Sequence, residues 1–264
     1  MRDRVYRTDA IMLRHSDWAE ADRMLTILTP RGKRRVIAKG ARKTNSRLAG
    51  HIELFTHATL LLATGRTYDI VTQSTILDGF DTLRRDLHTI SAAFYACELV
   101  DRLTEQDGEE TAVFTLLLEA LRVLDQHNDR ELVLRAFELQ LLDALGYQPQ
   151  LRACARCSAR LTEETAHFSP AAGGALCATC ARLHVDAATM SLAAFKLLRY
   201  LQINSIATTA HMTISPETRA EAEHLLRGYL KQILERDLRS TALLDELRNP
   251  LSAPEAAVPR STRS

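Results

Sequence analysis

RMLTILTPRGKRRVIAK, residues 23–39, decides how the first third of the chain folds. Two β-type runs, Arg23 to Thr29 and Lys33 to Lys39, flank Pro30-Arg31-Gly32, a connection short enough for a hairpin. In the second run Arg35, Ile37 and Lys39 alternate with Arg34, Val36 and Ala38, and this period of two leaves one face wet. Working outward, Val5 to His15 precedes the pair. Ile52 to Ala63 and Arg66 to Ile76 follow it and are joined by Thr64-Gly65. Five strands divided by turn residues at intervals of about ten to fifteen predict a small sandwich or barrel with antiparallel meander pairing.

A five-stranded unit of this size is most like an OB-type barrel. Beyond Gly79 the period becomes helical. Leu83, Leu87, Ile90, Phe94 and Cys97 recur at steps of three and four and predict one stripe of a helix running to about Leu103. Further helices are predicted over Ala112 to Leu124 and from about Glu131 to Leu145, the latter closed by Gly146 as a left-handed cap. Ser191 is placed to cap another reaching about Leu201, and Ser215-Pro216-Glu217 starts one that reaches Leu234. The expected class is therefore α+β. An OB-type barrel over residues 1–79 precedes an all-α domain over 80–248, which carries a four-cysteine insert at 152–182. Residues 249–264 hold three prolines and no periodic apolar residues, and are expected to be a disordered tail.

Composition narrows the classes. Of 264 residues 46% are hydrophobic and 25% charged, which excludes a mostly disordered or fibrous chain. No apolar run approaches the ~18 residues a bilayer span needs, and the amino terminus is charged where a secretory signal would be apolar, so a cytoplasmic protein is expected. Net charge is +1, but its distribution is lopsided. Residues 1–50 hold 13 Lys/Arg against 5 Asp/Glu, leaving 21 against 28 for the remainder. The front is cationic.

Five cysteines in a reducing compartment suggest thiols or metal ligands before disulfides. Cys154-x-x-Cys157 and Cys177-x-x-Cys180, nineteen residues apart, match a four-thiolate zinc site. Such a closed sphere has no open position for substrate, so one structural zinc is expected. The competing reading is two redox dithiols or unconnected thiols. His167 and His184 could each replace a cysteine, but both lie outside the knuckles. Cys97 sits on an apolar helical stripe and reads as a core residue.

Arg31 to Arg47 contains eight basic residues and no acidic one. A run like this suits a polyanion, since each phosphate neutralised releases counterions. The plainer alternative is a solvated edge strand that uses charge to block sheet aggregation. Single-strand sites usually add aromatic platforms, and few are present: Tyr6, Trp18, Phe55 and Tyr68. Trp18, in the polar turn between the first two strands, is either a stacking platform or a rim residue closing the barrel mouth. Phe55 reads as core. With little stacking, affinity should be mostly electrostatic and salt-dependent. The sequence shows no phosphate-loop or dinucleotide glycine pattern, no HExxH and no nucleophile elbow, and none of its nine histidines pairs with a carboxylate at a defensible spacing. No catalytic residue is assigned.

The order of short motifs resembles the bacterial RecO family of recombination mediators. Those motifs are Tyr6-Arg7-Thr8-Asp9-Ala10-Ile11, Glu20-Ala21-Asp22-Arg23, Ala38-Lys39-Gly40-Ala41-Arg42-Lys43 and Ser46-Arg47-Leu48 in the front. In the rear they are Glu98-Leu99-Val100-Asp101-Arg102-Leu103, Phe137-Glu138-Leu139, Leu145-Gly146-Tyr147-Gln148-Pro149, and the paired knuckles with Phe168-Ser169-Pro170 and Gly173-Gly174 between them. The similarity covers nearly residues 1 to 248. It implies a DNA-binding OB domain and a helical domain with a zinc knuckle. It further implies binding of single- and double-stranded DNA, annealing of complementary strands, and, with RecR, loading of RecA onto DNA covered by single-strand-binding protein, whose acidic C-terminal tail is also bound. On this reading Lys33, Arg34, Arg35, Lys39, Arg42, Lys43 and Arg47 contact phosphates, and neither a membrane nor a small-molecule substrate is involved. Two other classes compete: a zinc-stabilised protein–protein adaptor, and a nuclease or dithiol oxidoreductase built on the CxxC pairs.

Overall fold

A computed structural model of the chain describes residues 4–106, 108, 111–127, 129–161, 166–234 and 238–248. The tail expected to be disordered, 249–264, lies outside the described residues. Five strands, β1 (Val5–Trp18), β2 (Asp22–Thr29), β3 (Gly32–Ala38), β4 (His57–Ala63) and β5 (Asp69–Asp78), close a barrel in the order β1-β2-β3-β5-β4. The β1–β2–β3 meander and the β4–β5 hairpin are antiparallel as expected, but the closure is not a meander. β3 pairs with β5 in parallel, Val36 against Asp69 and Ile37 against Ile70, while the first half of β1 pairs with β4 from Val5–Ala63 to Ile11–His57. A simple meander would leave two open edges, and this closure removes them. β1 serves both neighbours because it is 14 residues long and its register shifts between Met12 and Arg14.

The barrel core is Ala10, Met12, Leu25, Ile27, Val36, Ala38, Ile52, Leu60, Leu62, Val71 and neighbours. On the outer side Ile11, Leu13, Leu28 and Phe55 join a second, larger core with the helices. That explains why Ala10 to Leu13 is buried without interruption and does not alternate. Strand four begins five residues later than its sequence suggests, because Phe55 has φ 70 and its ring turns outward, edge-to-face at 4.9 Å against Phe94. Phe55 is core, as expected, but of the helical half.

The helices are α1 (Leu87–Leu103), α2 (Thr111–Gln126), α3 (Arg130–Ala144), the short α4 (Ala178–Ala181), α5 (Leu192–Ile203), the short α6 (Ile206–Thr209), α7 (Pro216–Leu234) and α8 (Arg239–Arg248). Asp86 caps α1 by accepting from the Thr89 N–H at 2.8 Å, so Leu83 lies in a separate turn and Leu87 is 56% exposed. Of the expected stripe only Leu87 fails: Leu83 and Cys97 are core, and Ile90 and Phe94 pack against it. The buried face of α1 runs through Ala92, Ala93, Ala96, Leu99 and Val100, and its three alanines let α2 and α3 approach. Cys97 is buried in the same core, and burial pushes its thiol well up. Gly146 takes φ +79 as the cap after α3.

A buried ionic network ties α1, α3 and α7. Arg135 and Glu138, 5% and 1% exposed, form an ion pair; the Tyr95 hydroxyl donates to Glu138 Oε1 at 2.6 Å, and Glu223 lies 3.5 Å from Arg135 Nη1. Burial pushes the Glu138 carboxyl up, and Arg135 opposes that shift. Glu138→Ala strands the guanidinium without its main partner, and is expected to cost about 3–5 kcal/mol, read as a lowered midpoint in urea.

Barrel and helices are joined by polar contacts as well as by the shared core. Lys33 donates to the Asp101 carbonyl and lies 3.2 Å from its carboxylate, which also sits 3.4 Å from Arg14 Nε. The Thr111 hydroxyl donates to the Pro30 carbonyl at 2.8 Å. Gly32, at φ +100, admits this approach: a Cβ there would fall 1.7 Å from the Gly108 carbonyl oxygen.

Candidate metal centre and nucleic-acid interface

The cysteine insert is built on a three-stranded sheet, β6 (Ala166–Ser169) flanked by β7 (Gly174–Leu176) and β8 (Ala188–Met190). Gln150 straps onto it: its N–H donates to the Gly173 carbonyl at 2.9 Å and its carbonyl accepts from Ala175 at 2.7 Å. Gly174 is needed at this crossing, since a Cβ would fall 2.3 Å from the Gln150 oxygen. The Ala155 N–H then donates to the Ala175 carbonyl at 2.8 Å, laying the first knuckle beside the second.

The consequence is that the sulfurs of Cys154, Cys157, Cys177 and Cys180 all lie within 4.8 Å of one another, with Cys157 and Cys177 at 3.9 Å. A tetrahedron with ~2.3 Å metal–sulfur bonds has edges of roughly 3.8 Å, so the set fits a single ion. Burial opposes ionisation of Cys154. Backbone N–H groups of Cys157, Cys177 and Arg156 outweigh it and bring the thiol down to about 6. Four cysteines close together could therefore hold a metal ion. His167 and His184 stay out of the cluster; His184 instead contacts Arg156 at 3.2 Å.

The basic run does not stay together as a single surface. Lys33 departs from the sequence expectation, being 7% exposed and fastened to Asp101 at the barrel–helix junction. Arg34 shares the inner face of β3 with Val36 and Ala38, and its Nη1 lies 3.3 Å from the Tyr6 hydroxyl, which donates to Asp69. Burial and the Asp69 carboxylate raise that hydroxyl's pKa. Arg35 lies on the outer face, its guanidinium 5.3 Å from the centre of the Tyr68 ring.

Lys39, Arg42, Lys43 and Arg47 are exposed on the connection that follows β3. Two bonds tie this loop to the β1–β2 hairpin, from Arg42 N–H to the Ala21 carbonyl at 2.9 Å and from Gly40 N–H to the Asp22 carboxylate at 2.7 Å. Arg42 also pairs with Asp17 at 3.2 Å. Lys39, Lys43 and Arg47 have no carboxylate within ion-pair distance among the described residues. Trp18 ends β1 on the same hairpin, 41% exposed, with its ring 6.1 Å from that of Tyr68. Sequence reasoning missed the Asp101 anchor and the meeting of Trp18 with Tyr68. Both are long-range, and only the parallel β3–β5 closure brings Tyr68 beside Arg35.

Among the described residues no helix is long and apolar enough to cross a membrane. Residues 1–80 match the family model for the recombination protein O N terminal, and residues 84–242 match that for its C terminal. The chain is 58% identical over 265 residues to a DNA repair protein RecO of Roseiflexus sp. (strain RS-1), covering 100% of this chain and 94% of that protein. It is 36% identical over 244 residues to a DNA repair protein RecO of Dehalococcoides mccartyi (strain CBDB1), covering 92% and 96%. A Symbiobacterium thermophilum protein of the same name is 35% identical over 249 residues, covering 93% and 98%. With both halves matched and relatives aligned along nearly their whole length, the chain belongs to the RecO family of DNA repair proteins.

Proposed function

We propose that this chain is a non-enzymatic mediator of DNA repair and recombination that holds DNA by its phosphates at the cationic end of the barrel. The observation carrying this reading is the exposed group Lys39, Arg42, Lys43 and Arg47 on a loop tied to the hairpin that bears Trp18. Arg35 borders the site from β3; Lys33 is left out of it and Arg34 supports it from within.

Annealing needs two strands near each other, their repulsion neutralised and their bases free to pair. Exposed cations on a loop neutralise phosphate without enclosing Watson–Crick edges. Duplex formation supplies the driving force, so no nucleotide hydrolysis is required. The partners proposed with it are RecR and the acidic tail of single-strand-binding protein, and the proposed outcome is RecA loaded onto the DNA which that protein covers. Cys154, Cys157, Cys177 and Cys180 would hold one zinc, whose closed four-thiolate sphere supplies folding energy and no chemistry. The test is annealing of complementary oligonucleotides with and without single-strand-binding protein across a salt titration. Acceleration that fades as salt rises is expected in both arms, and no acceleration at low salt would contradict the proposal.

A further inference from the structure

Trp18 is a large apolar side chain left 41% exposed on a polar hairpin, next to Asp17 and to Ala19 at φ 48. Its contact with Tyr68 is edge-to-face, 79° between planes, and such a contact takes up at most one face of each ring. Tyr68 is held in place from several directions. Asp69, the next residue, pairs in parallel with Val36, and its carboxylate accepts from the Tyr6 hydroxyl and from the Gly65 N–H at 3.1 Å. The Arg35 guanidinium lies over the Tyr68 ring. Trp18, Tyr68 and Arg35 therefore form a pre-ordered π and cation corner, and the loop with Lys39 and Lys43 is bonded to the Trp18 hairpin at Ala21 and Asp22.

We infer that the Trp18–Tyr68 corner is a base-stacking subsite that takes one unpaired nucleotide and so gives the barrel a preference for single strands over closed duplex. The inference rests on the proposed phosphate-binding role of the neighbouring loop. A base within a duplex has both faces covered by its neighbours, whereas an unpaired base offers its face to an aromatic ring. One anchored base is compatible with annealing, because the nucleotides on either side remain free to pair. The lysines would hold flanking phosphates of either form and give single strands no advantage, leaving the aromatic corner to favour them.

Trp18 is the only tryptophan in the chain, so its emission reports on this corner alone. The experiment titrates the full chain with oligodeoxythymidine and, separately, with a duplex whose ends are both closed by hairpins. Oligodeoxythymidine is expected to quench Trp18 and the closed duplex to leave it unchanged. Trp18→Ala should weaken oligodeoxythymidine binding about five- to tenfold, the low end for loss of one stacked base, with the salt dependence unchanged. Trp18→Phe, which keeps a ring, should recover most of that loss. Binding of oligodeoxythymidine at full affinity with unaltered Trp18 emission would overturn the inference and leave the phosphate reading standing, as would equal quenching by the closed duplex. Failure of the wild-type chain to bind either nucleic acid would overturn both.

Discussion

The triple charge reversal Lys39→Glu, Lys43→Glu, Arg47→Glu is expected to weaken single-strand binding by about a thousandfold or more. Each replaced side chain gives up a charge-assisted contact of about 1.5 kcal/mol at least, and each new carboxylate adds repulsion. The fold should survive. All three side chains are exposed and have no carboxylate partner among the described residues, so each change should alter stability by about 0.5 kcal/mol at most. The result is read by fluorescence anisotropy of a labelled oligonucleotide, with a thermal melt as the control for folding. Arg34 and Lys33 are unsuitable targets. Reversing Arg34 would set a carboxylate beside Tyr6 and Asp69, and reversing Lys33 would set one against Asp101 at the junction. Either would lose binding through damage to the barrel.

The second large effect concerns the metal centre. Elemental analysis should find one zinc per chain, and Cys157→Ser with Cys177→Ser should abolish it. In small zinc peptides the ion contributes about 10–16 kcal/mol of apparent binding free energy, far more than the stability of an ordinary domain. Loss should not stay local. Ala166, Phe168 and Ala175 of the insert and Leu151 and Met190 at its flanks pack into the main helical core, so loosening the knuckles exposes part of that core. A lowered melting temperature and faster amide exchange in α3, α5 and α7 are expected, while the barrel, which has an inner core of its own besides the face it shares with the helices, stays folded. A metal-free chain with four titratable thiols and an unchanged melt would contradict this.

How far these features were legible depends on how local they are. The hairpin at Pro30-Arg31-Gly32, the caps at Ser191 and Gly146 and the CxxC pairs rest on neighbours within a few residues, and each appears in the structure where its sequence puts it. The helical period places Leu87 on the buried stripe, but Asp86 ends the preceding turn and restarts the helix, a break that a period alone does not register. α6 and α8 are short, and α8 is pinned by distant partners, Arg227 to Asp245 at 2.6 Å and Ser240 to Glu98 at 2.8 Å. The basic run was visible as composition, but its division into junction, barrel wall and exposed loop depends on Asp101, Tyr6 and Tyr68, which the chain brings in from far along the sequence.

With the exposed loop alone facing phosphates, the number of its cations sets how steeply affinity falls with salt. The measurement is single-strand affinity of the wild-type chain across a range of monovalent salt, plotted logarithmically on both axes. Four or so exposed cations releasing counterions from a single strand give a slope of about −2 to −3. A slope in that range, reduced toward zero in the triple reversal, is the expected result. A flat plot, with affinity indifferent to salt, would mean that phosphates are not what this loop holds.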